Sequence, residues 1–259
     1  MRASIWSVLC VLMVTSFHPA FAQKGYQVKT IVIDAGHGGR KPGARGAFST
    51  EKNVALEVAL KLGRKFEEDM PGVKILYTRK TDVDVDFHKR SGMANDAKAD
   101  LFISIHCNSM PAGNRSVKGT ETFVAGMHRI NEQDAAIREN ADIMLEKNYK
   151  QNYDGFDPSD PETFILLSLF KNKFRDKSMQ LARLFQHNYT NVDGRVNRGI
   201  KEQGLLILQR CGMPAVLTEI GFLSNPEEER YINSEVGQNE IVHSIFSAVK
   251  SYKEKNDTI

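Results

Sequence analysis

Short apolar runs alternate with segments of helical periodicity along most of this chain. Apolar residues recur at every fourth position from Val54 to Phe66, which predicts a helix with one buried face. A second helix is predicted at about 87–97, and an amphipathic helix around 241–249 closes the chain. Six runs rich in β-branched and aliphatic residues predict strands at 30–34, 73–77, 101–105, 120–124, 205–208 and 215–220.

The predicted strands are apolar on both faces, which is typical of a sheet covered by helices on both sides. Because strands and helices alternate, we expect an α/β fold with a twisted, mostly parallel six-stranded sheet. The alternation is interrupted at 129–189, where two helical patterns flank a loop-forming segment at 154–161. We interpret 129–189 as a helical insertion on the sheet, since it contains no predicted strand.

The N-terminal residues have the layout of a cleavable secretory signal. Arg2 supplies a positive start, residues 5–16 are almost continuously apolar, and alanines stand at 20 and 22. The apolar run is too short to span a membrane, and no later run is long enough. The sequence therefore predicts an exported protein with a signal peptide at 1–22 and a single domain at 23–259. A buried N-terminal helix, the alternative, would not need the two small residues.

Charge and cysteine content narrow the function classes. Of 35 Lys and Arg residues, only Arg2 lies in 1–22, so 34 remain against 32 Asp and Glu. This near balance provides no basic surface for a polyanion, and nucleic acid is therefore not expected as a partner. Cys107 and Cys211 lie beside strand-like runs, and we predict two small buried residues rather than a disulfide.

Two histidines and two glutamates stand where predicted strands end or helices begin. His37 follows the first strand in a glycine-rich loop, and His106 ends the third strand. Glu51 opens the first helix, and Glu219 lies inside the last strand. Ligands of open α/β sheets bind at the carboxyl ends of the strands, so these side chains could converge there. Structural alternatives exist, because such histidines are often simply buried and such helix-start carboxylates often offset the helix dipole.

Glu219 is harder to explain by structure alone. Its neighbours are apolar, and burial of an unpaired carboxylate costs several kcal/mol. The candidate cation nearby in the sequence is Arg210, across a turn.

Catalytic zinc commonly takes three protein ligands, and two histidines with one glutamate are a known set. Zinc lowers the pKa of a bound water to about 7, and a second carboxylate can pass the proton to a leaving amine. His37, Glu51 and His106 therefore fit the ligands of one zinc ion per chain, and Glu219 fits the general base.

Six sequence blocks carry a family resemblance, at 32–39, 51–53, 77–82, 90–95, 101–108 and 213–225. Taken in this order, they resemble the zinc-dependent N-acetylmuramoyl-L-alanine amidases of the type that separates daughter cells in bacteria (amidase type 3). The resemblance extends from about Lys29 to the last helix. A Gly-His-Gly-Gly motif alone would be weak, but six blocks in order are specific.

The resemblance implies a six-stranded sheet and a zinc ion held by His37, Glu51 and His106, with Glu219 as the catalytic glutamate. It also implies cleavage of the amide between N-acetylmuramic acid and the L-alanine that begins the stem peptide of peptidoglycan. Export would place the enzyme in the periplasm, with secretion as the alternative. Its role would be cell-wall remodelling and daughter-cell separation.

Three further polar residues match the family pattern. We expect Arg79 and Arg90 to pin loops by pairing with Asp82 or Asp84, and substrate contact is the alternative. Asn108 either orients substrate and zinc ligands or stabilises a turn.

In some relatives a helix of this region lies over the zinc site until an activator protein displaces it. Residues 136–146 predict such a helix here, and Glu139 or Glu146 could reach the open zinc position. In the alternative interpretation, both glutamates face solvent. The insertion is thus a candidate autoinhibitory lid, and an activator is a candidate partner beside peptidoglycan.

Two other function classes fit parts of this sequence. A wall-binding protein could keep the fold without turnover, although retention of all four candidate residues argues against it. The loop at 36–39 could cradle phosphate in a nucleotide-binding protein, but it lacks the spacing and the lysine of known phosphate loops.

Overall fold

A mixed six-stranded sheet forms the centre of the protein. The computed structural model describes residues 27–111, 114–126, 133–153, 155–157, 160 and 173–257, and the predicted signal peptide lies outside these ranges. The strands are β1 (Thr30–Ala35), β2 (Lys74–Tyr77), β3 (Leu101–Asn108), β4 (Thr120–Ala125), β5 (Asn197–Gln203) and β6 (Ala215–Phe222).

The strand order is β2-β1-β3-β6-β4-β5. Four neighbouring pairs are parallel and one, β4 with β6, is antiparallel, which confirms the predicted mostly parallel sheet. The central strands β3 and β6 are buried along their whole length, as expected for strands covered on both faces.

Helices cover both faces of this sheet. In β1, Ile31 and Ile33 join an apolar core on one face of the sheet, called the first core. Val32 joins the second core on the opposite face, because successive side chains alternate between faces. No helix in the described ranges is both long and apolar enough to cross a lipid bilayer. The helices are α1 (Glu51–Asp69), α2 (Phe87–Asp96), α3 (Asp134–Asn140), a 3-10 turn (Ala141–Leu145), α4 (Tyr149–Asn152), α5 (Arg175–Asn191), α6 (Leu206–Gln209), α7 (Pro226–Ile232) and α8 (Glu235–Asp257).

One strand prediction is wrong. Residues 205–208 lie mostly in α6, and the fifth strand is β5, somewhat earlier in the chain. A run of four apolar residues fits a buried helical turn as well as a strand, and α6 is buried in the second core. The edge strand β5 carries Arg198 and Lys201 and is partly exposed, so it lacks the apolar run that identifies buried strands.

The predicted insertion is shorter than 129–189. Helix α5 packs against α8 and β4, and its Leu181, Phe185 and Tyr189 are fully buried in the first core. It is therefore part of the covering layer of the sheet. Within 133–153, the predicted helix at 136–146 divides into α3 and the following 3-10 turn. Cys107 and Cys211 are buried and not disulfide-bonded, as predicted.

A buried carboxylate joins three elements near the end of β1. Asp34 is fully buried and accepts hydrogen bonds from the Thr78 and Ser104 hydroxyls, both at 2.6 Å, and from Arg90 at 2.8 Å. Burial alone would raise the pKa of Asp34, but the Arg90 charge and the two hydroxyls lower it overall. The ionised carboxylate is thus the form that stabilises the fold.

We expect Asp34→Asn to lower the free energy of unfolding by about 3–5 kcal/mol at neutral pH, because it leaves the Arg90 charge buried and unpaired. Since the folded-state pKa is depressed, this contribution is present above the unfolded pKa and is lost as pH falls through the folded one. Urea unfolding should therefore show a difference that shrinks below about pH 4. Asp96→Asn, on an exposed position of α2, is the control and should change little. A variant as stable as the wild type would contradict this role.

Candidate metal centre and active site

Three of the predicted site residues meet at the carboxyl ends of β1 and β3. His37 follows β1, Glu51 begins α1 and His106 lies near the end of β3. His37 Nε2 is 3.1 Å from Glu51 Oε2, and His106 Nδ1 is 2.9 Å from Glu51 Oε1. All three side chains are buried.

Glu139 of helix α3 completes this cluster. Its Oε2 lies 3.3 Å from His37 Nε2 and 3.2 Å from His106 Nδ1. These two ring nitrogens and Glu139 Oε2 are buried, and none makes a hydrogen bond within the described part of the chain. Ligand atoms about 2.0–2.1 Å from a tetrahedral zinc ion lie roughly 3.3 Å from one another. The four side chains, with ligand atoms all within 4.8 Å of one another, thus fit a single metal ion.

The backbone approaches the centre closely where the sequence has glycine. A Cβ on Gly36 would lie 2.5 Å from the His106 ring, and one on Gly43 would lie 2.4 Å from Glu51 Oε2. His37 itself adopts a left-handed conformation with φ of 57°. The glycine-rich loop after β1 is therefore needed for the side chains to converge.

Hydrogen bonds orient these side chains. The carboxylate of Glu51 accepts from the backbone N–H groups of Ala44 at 2.7 Å and Cys107 at 2.9 Å. His37 Nδ1 lies 2.7 Å from Asp142 Oδ2, so this carboxylate fixes the ring and leaves Nε2 facing the centre. Asp142 was not predicted from the sequence, because its contact with His37 joins residues 105 positions apart.

Arg79 and Arg90 hold the loop that carries His37. Arg90 donates to the carbonyl oxygens of Ala35 and His37, and Arg79 donates to those of Ala35 and Gly36. Both side chains are almost completely buried. Both arginines thus contact the backbone of the loop after β1, as the loop-pinning interpretation expects.

The predicted partners of these arginines were wrong. Arg90 pairs with Asp34, whereas Asp82 pairs with Lys52 and Asp84 with Arg40.

The electrostatics of the cluster favour positive charge. Burial alone would lower the pKa of His106, but the nearby charges of Glu139 and Glu51 raise it to about 10. For His37, Glu51, Asp142 and Glu139 likewise outweigh burial and raise the pKa well above its usual range. Neighbouring carboxylates thus create a site that a divalent cation suits.

Glu219 lies beside this centre on the neighbouring strand. It is in register with His106 and is fully buried, and neither carboxylate oxygen makes a hydrogen bond within the described ranges. Burial, followed by the charges of Glu139 and Glu51, raises its pKa well above its usual range. Among the described residues, the cation within ion-pair distance is Arg138, whose Nη2 is 3.6 Å from Glu219 Oε1.

Arg138 was missed because its approach to Glu219 depends on how α3 packs over β6. The sequence indicated Arg210 instead, which donates to the backbone carbonyl of Asn152.

The other two predicted site residues lie in separate networks. Glu146 accepts from Lys41 Nζ at 2.9 Å, where both side chains are fully buried, and from the Tyr153 hydroxyl. It thus attaches the insertion to the loop after β1 and is not in the metal cluster. Asn108 donates to Glu121 Oε2 at 2.9 Å, on the strand beyond Glu219.

The glycine-rich loop does not present a phosphate cradle. The N–H groups of Gly36 and Gly38 donate to the carbonyl oxygens of Ile105 and Lys41, and that of Gly39 donates to Asp82. These donors already have protein partners, which argues against the nucleotide-binding alternative.

Comparison with known proteins places this arrangement in a family. The N-acetylmuramoyl-L-alanine amidase family (Amidase_3) matches residues 31–251, and the chain belongs to that family. A putative N-acetylmuramoyl-L-alanine amidase of Buchnera aphidicola (from Acyrthosiphon pisum) is 30% identical, over 89% of this chain and 97% of its own. The amidase AmiC of Escherichia coli O6:H1 is 27% identical over 86% of this chain. The match covers 52% of AmiC, so this chain spans about half of that relative.

Solved structures agree with this assignment. The N-acetylmuramoyl-L-alanine amidase of Clostridium difficile 630 superposes with a TM-score of 0.67 at 27% identity, over 88% of this chain and 98% of its own. The protein is therefore assigned to the N-acetylmuramoyl-L-alanine amidases, hydrolases that act on peptidoglycan.

Proposed function

We propose that this enzyme uses one zinc ion per chain to cleave the amide between N-acetylmuramic acid and L-alanine, in cell-wall remodelling and daughter-cell separation. The observation that carries the proposal is the convergence of His37, Glu51, His106 and Glu139 on one point. Two imidazoles with carboxylates are a donor set that suits zinc. The signal predicted at 1–22 would export the enzyme, to the periplasm or beyond the cell.

His37, Glu51 and His106 would hold the zinc, and Glu139 would take the fourth position in the closed form. Zinc, when bound, activates water and polarises a carbonyl group. The three residues other than Glu139 belong to the sheet and its adjoining loop and helix, so they remain in place if α3 moves. Helix α3 would therefore control access without dismantling the centre.

Glu219 fits the general base of this reaction. Its raised pKa suits a group that accepts a proton from the attacking water and donates it to the leaving nitrogen of L-alanine. A low-pKa carboxylate would hold the proton too weakly to perform the first step. Burial of Glu219, together with the nearby carboxylates, maintains this property.

Helix α3 holds the active site in a closed form. Arg138 Nε donates to Glu139 Oε1 at 3.0 Å, and Arg138 Nη2 lies near Glu219. Movement of α3 would therefore remove both the fourth ligand and the cation beside the base. These contacts support the predicted regulatory role of this segment, because an activator that moves α3 would free the site in one step.

His37→Ala and His106→Ala should each lose most of the zinc, because two protein ligands and Glu139 hold the ion less well than the full set. Metal analysis of the purified proteins measures this. His243→Ala, at an exposed position of α8, is the matched control and should keep one zinc per chain. Full zinc occupancy in both site variants would show that the ligands are assigned wrongly.

Glu219→Ala should keep the zinc and the fold but cleave a defined muropeptide about 10²–10⁴-fold more slowly, because a general base contributes about that much. Chromatography of the released stem peptide gives the rate. Glu227→Ala, an exposed glutamate at the start of α7, should retain normal activity. Wild-type turnover by Glu219→Ala would exclude the proposed base.

Glu139→Ala should raise basal cleavage about tenfold or more, because each 1.4 kcal/mol of preference for the closed form suppresses activity tenfold. Deletion of about 132–160 should also raise it, but that deletion removes the buried side chains of Ile143 and Tyr153 and is a less controlled change. Ile137→Ala, on the exposed side of α3, is the control. If Glu139→Ala binds zinc yet digests peptidoglycan no faster than the wild type, the closed form is not inhibitory.

A further inference from the structure

A row of polar side chains crosses the sheet from the metal centre toward its far edge. His106 of β3 is in register with Glu219 of β6, and Glu219 is in register with Glu121 of β4. Directly paired residues of neighbouring strands point to the same face, so these three side chains lie side by side. The row leads away from the centre, toward the edge strand β5.

Two cations of β5 end this row. Arg198 Nε and Lys201 Nζ each lie 2.9 Å from the same oxygen, Glu121 Oε1. The Arg198 and Lys201 side chains are 33% and 41% exposed, whereas Glu121 is 4% exposed. Two positive charges that share one buried carboxylate leave one in excess, and their exposed donors can accept a further anion.

These residues line a cavity of about 330 Å³ beside the active site, which we call the β4–β5 pocket. Asn108, Phe222 and Gln203 form part of its wall, and α3 contributes Asp134 and Arg138. Removal of α3 would take away one charge of each sign. The pocket therefore keeps one net positive charge in the closed and the open form.

The position of the pocket relates it to the substrate. Adjacent strands lie about 4.8 Å apart, so the cations around Glu121 lie roughly 5–10 Å from Glu219. An extended peptide advances about 3.3 Å per residue, so the pocket would receive a group two or three residues beyond the cleaved amide. The sugars next to that amide are uncharged, whereas the stem peptide carries carboxylates.

We propose that the β4–β5 pocket binds a carboxylate of the stem peptide, and that Arg198 and Lys201 select stems with a free acid over stems in which this acid is amidated. This inference rests on the proposed cleavage at L-alanine. It directs the stem peptide over β4 toward β5 and makes both cations specificity-determining residues.

The test uses two muropeptides that differ only in whether the second stem residue carries a free carboxylate or a primary amide. The full-length enzyme should cleave the free acid with a kcat/KM about tenfold higher, the effect of one charge-assisted hydrogen bond at a partly exposed site. The double variant Arg198→Gln/Lys201→Gln should lose this preference and cleave the two forms with equal kcat/KM. Lys74→Gln, on the opposite edge strand β2, removes a charge elsewhere and should keep the preference.

Closure by Glu139 slows both substrates alike, so their ratio reports on the pocket. A wild-type enzyme that cleaves both forms equally, or a double variant that keeps the preference, would overturn the pocket assignment while the amidase function stands. If neither muropeptide is cleaved, even by Glu139→Ala, in which closure is relieved, the proposed function fails, and calorimetric binding of the two free stem peptides decides the pocket separately. Tighter binding of the free-acid stem peptide that is lost in the double variant supports the pocket assignment. Equal binding of the two stem peptides overturns it.

The double variant leaves Glu121 buried, with Asn108 as its remaining partner in the described part of the chain, and could therefore misfold. A second variant, at Glu121 itself, tests the proposal without this problem. Glu121→Gln keeps both cations and removes the competing charge, so it should strengthen the preference for the free acid. An unchanged or weaker preference in a folded Glu121→Gln protein would overturn the proposal.

Discussion

Buried negative charge at the carboxyl ends of β1, β3 and β6 is the constraint on which the rest of this structure depends. Desolvated carboxylates are costly unless hydrogen bonds or cations compensate them. Asp34 is compensated from within the fold, by Arg90 and two hydroxyl groups. Glu51 receives two backbone N–H groups, and its remaining interaction is with imidazoles that face a shared point. Between Glu51 and these imidazoles, the charge distribution favours a bound metal cation.

The segment of α3 and the following turn brings both a cation and a further carboxylate to this negatively charged region. Glu139 brings a further carboxylate to the centre, and Asp142 orients His37, while Arg138 lies between Glu139 and Glu219. The fully buried pair of Lys41 and Glu146 attaches the end of the same segment to the loop after β1. Under the proposed regulation, opening would break contacts at both ends of the segment, and a partner protein would supply compensating contacts.

The charged groups differ between the two sides of the active site. On one side, the loop after β1 and helix α1 supply His37 and Glu51, two of the proposed metal ligands. On the other, β4 and β5 extend the same face of the sheet with Glu121 and the two cations that share it. A substrate that is neutral near the cleaved bond and acidic farther along matches this division of charge.

The sequence by itself determined which residues stand at the ends of strands. His37, Glu51, His106 and Glu219 could be identified because apolar runs mark buried strands, and polar residues within or after such runs need a reason. The helices α1, α2 and α8 followed from their periodicity. These are local properties, since hydrophobic spacing and turn residues act over a few positions.

Only the tertiary structure decided which distant side chains meet. The choice between Glu139 and Glu146, the Arg138 contact with Glu219, and the pairing of Arg90 with Asp34 depend on how separate segments pack. The edge strand β5 was missed because an edge needs no continuous apolar run, and α6 was taken for a strand because burial on all sides hides helical periodicity. The local hydrophobic pattern indicates which residues are buried. Which side chains contact one another depends on their distance in three dimensions, and the spacing along the sequence does not determine that distance.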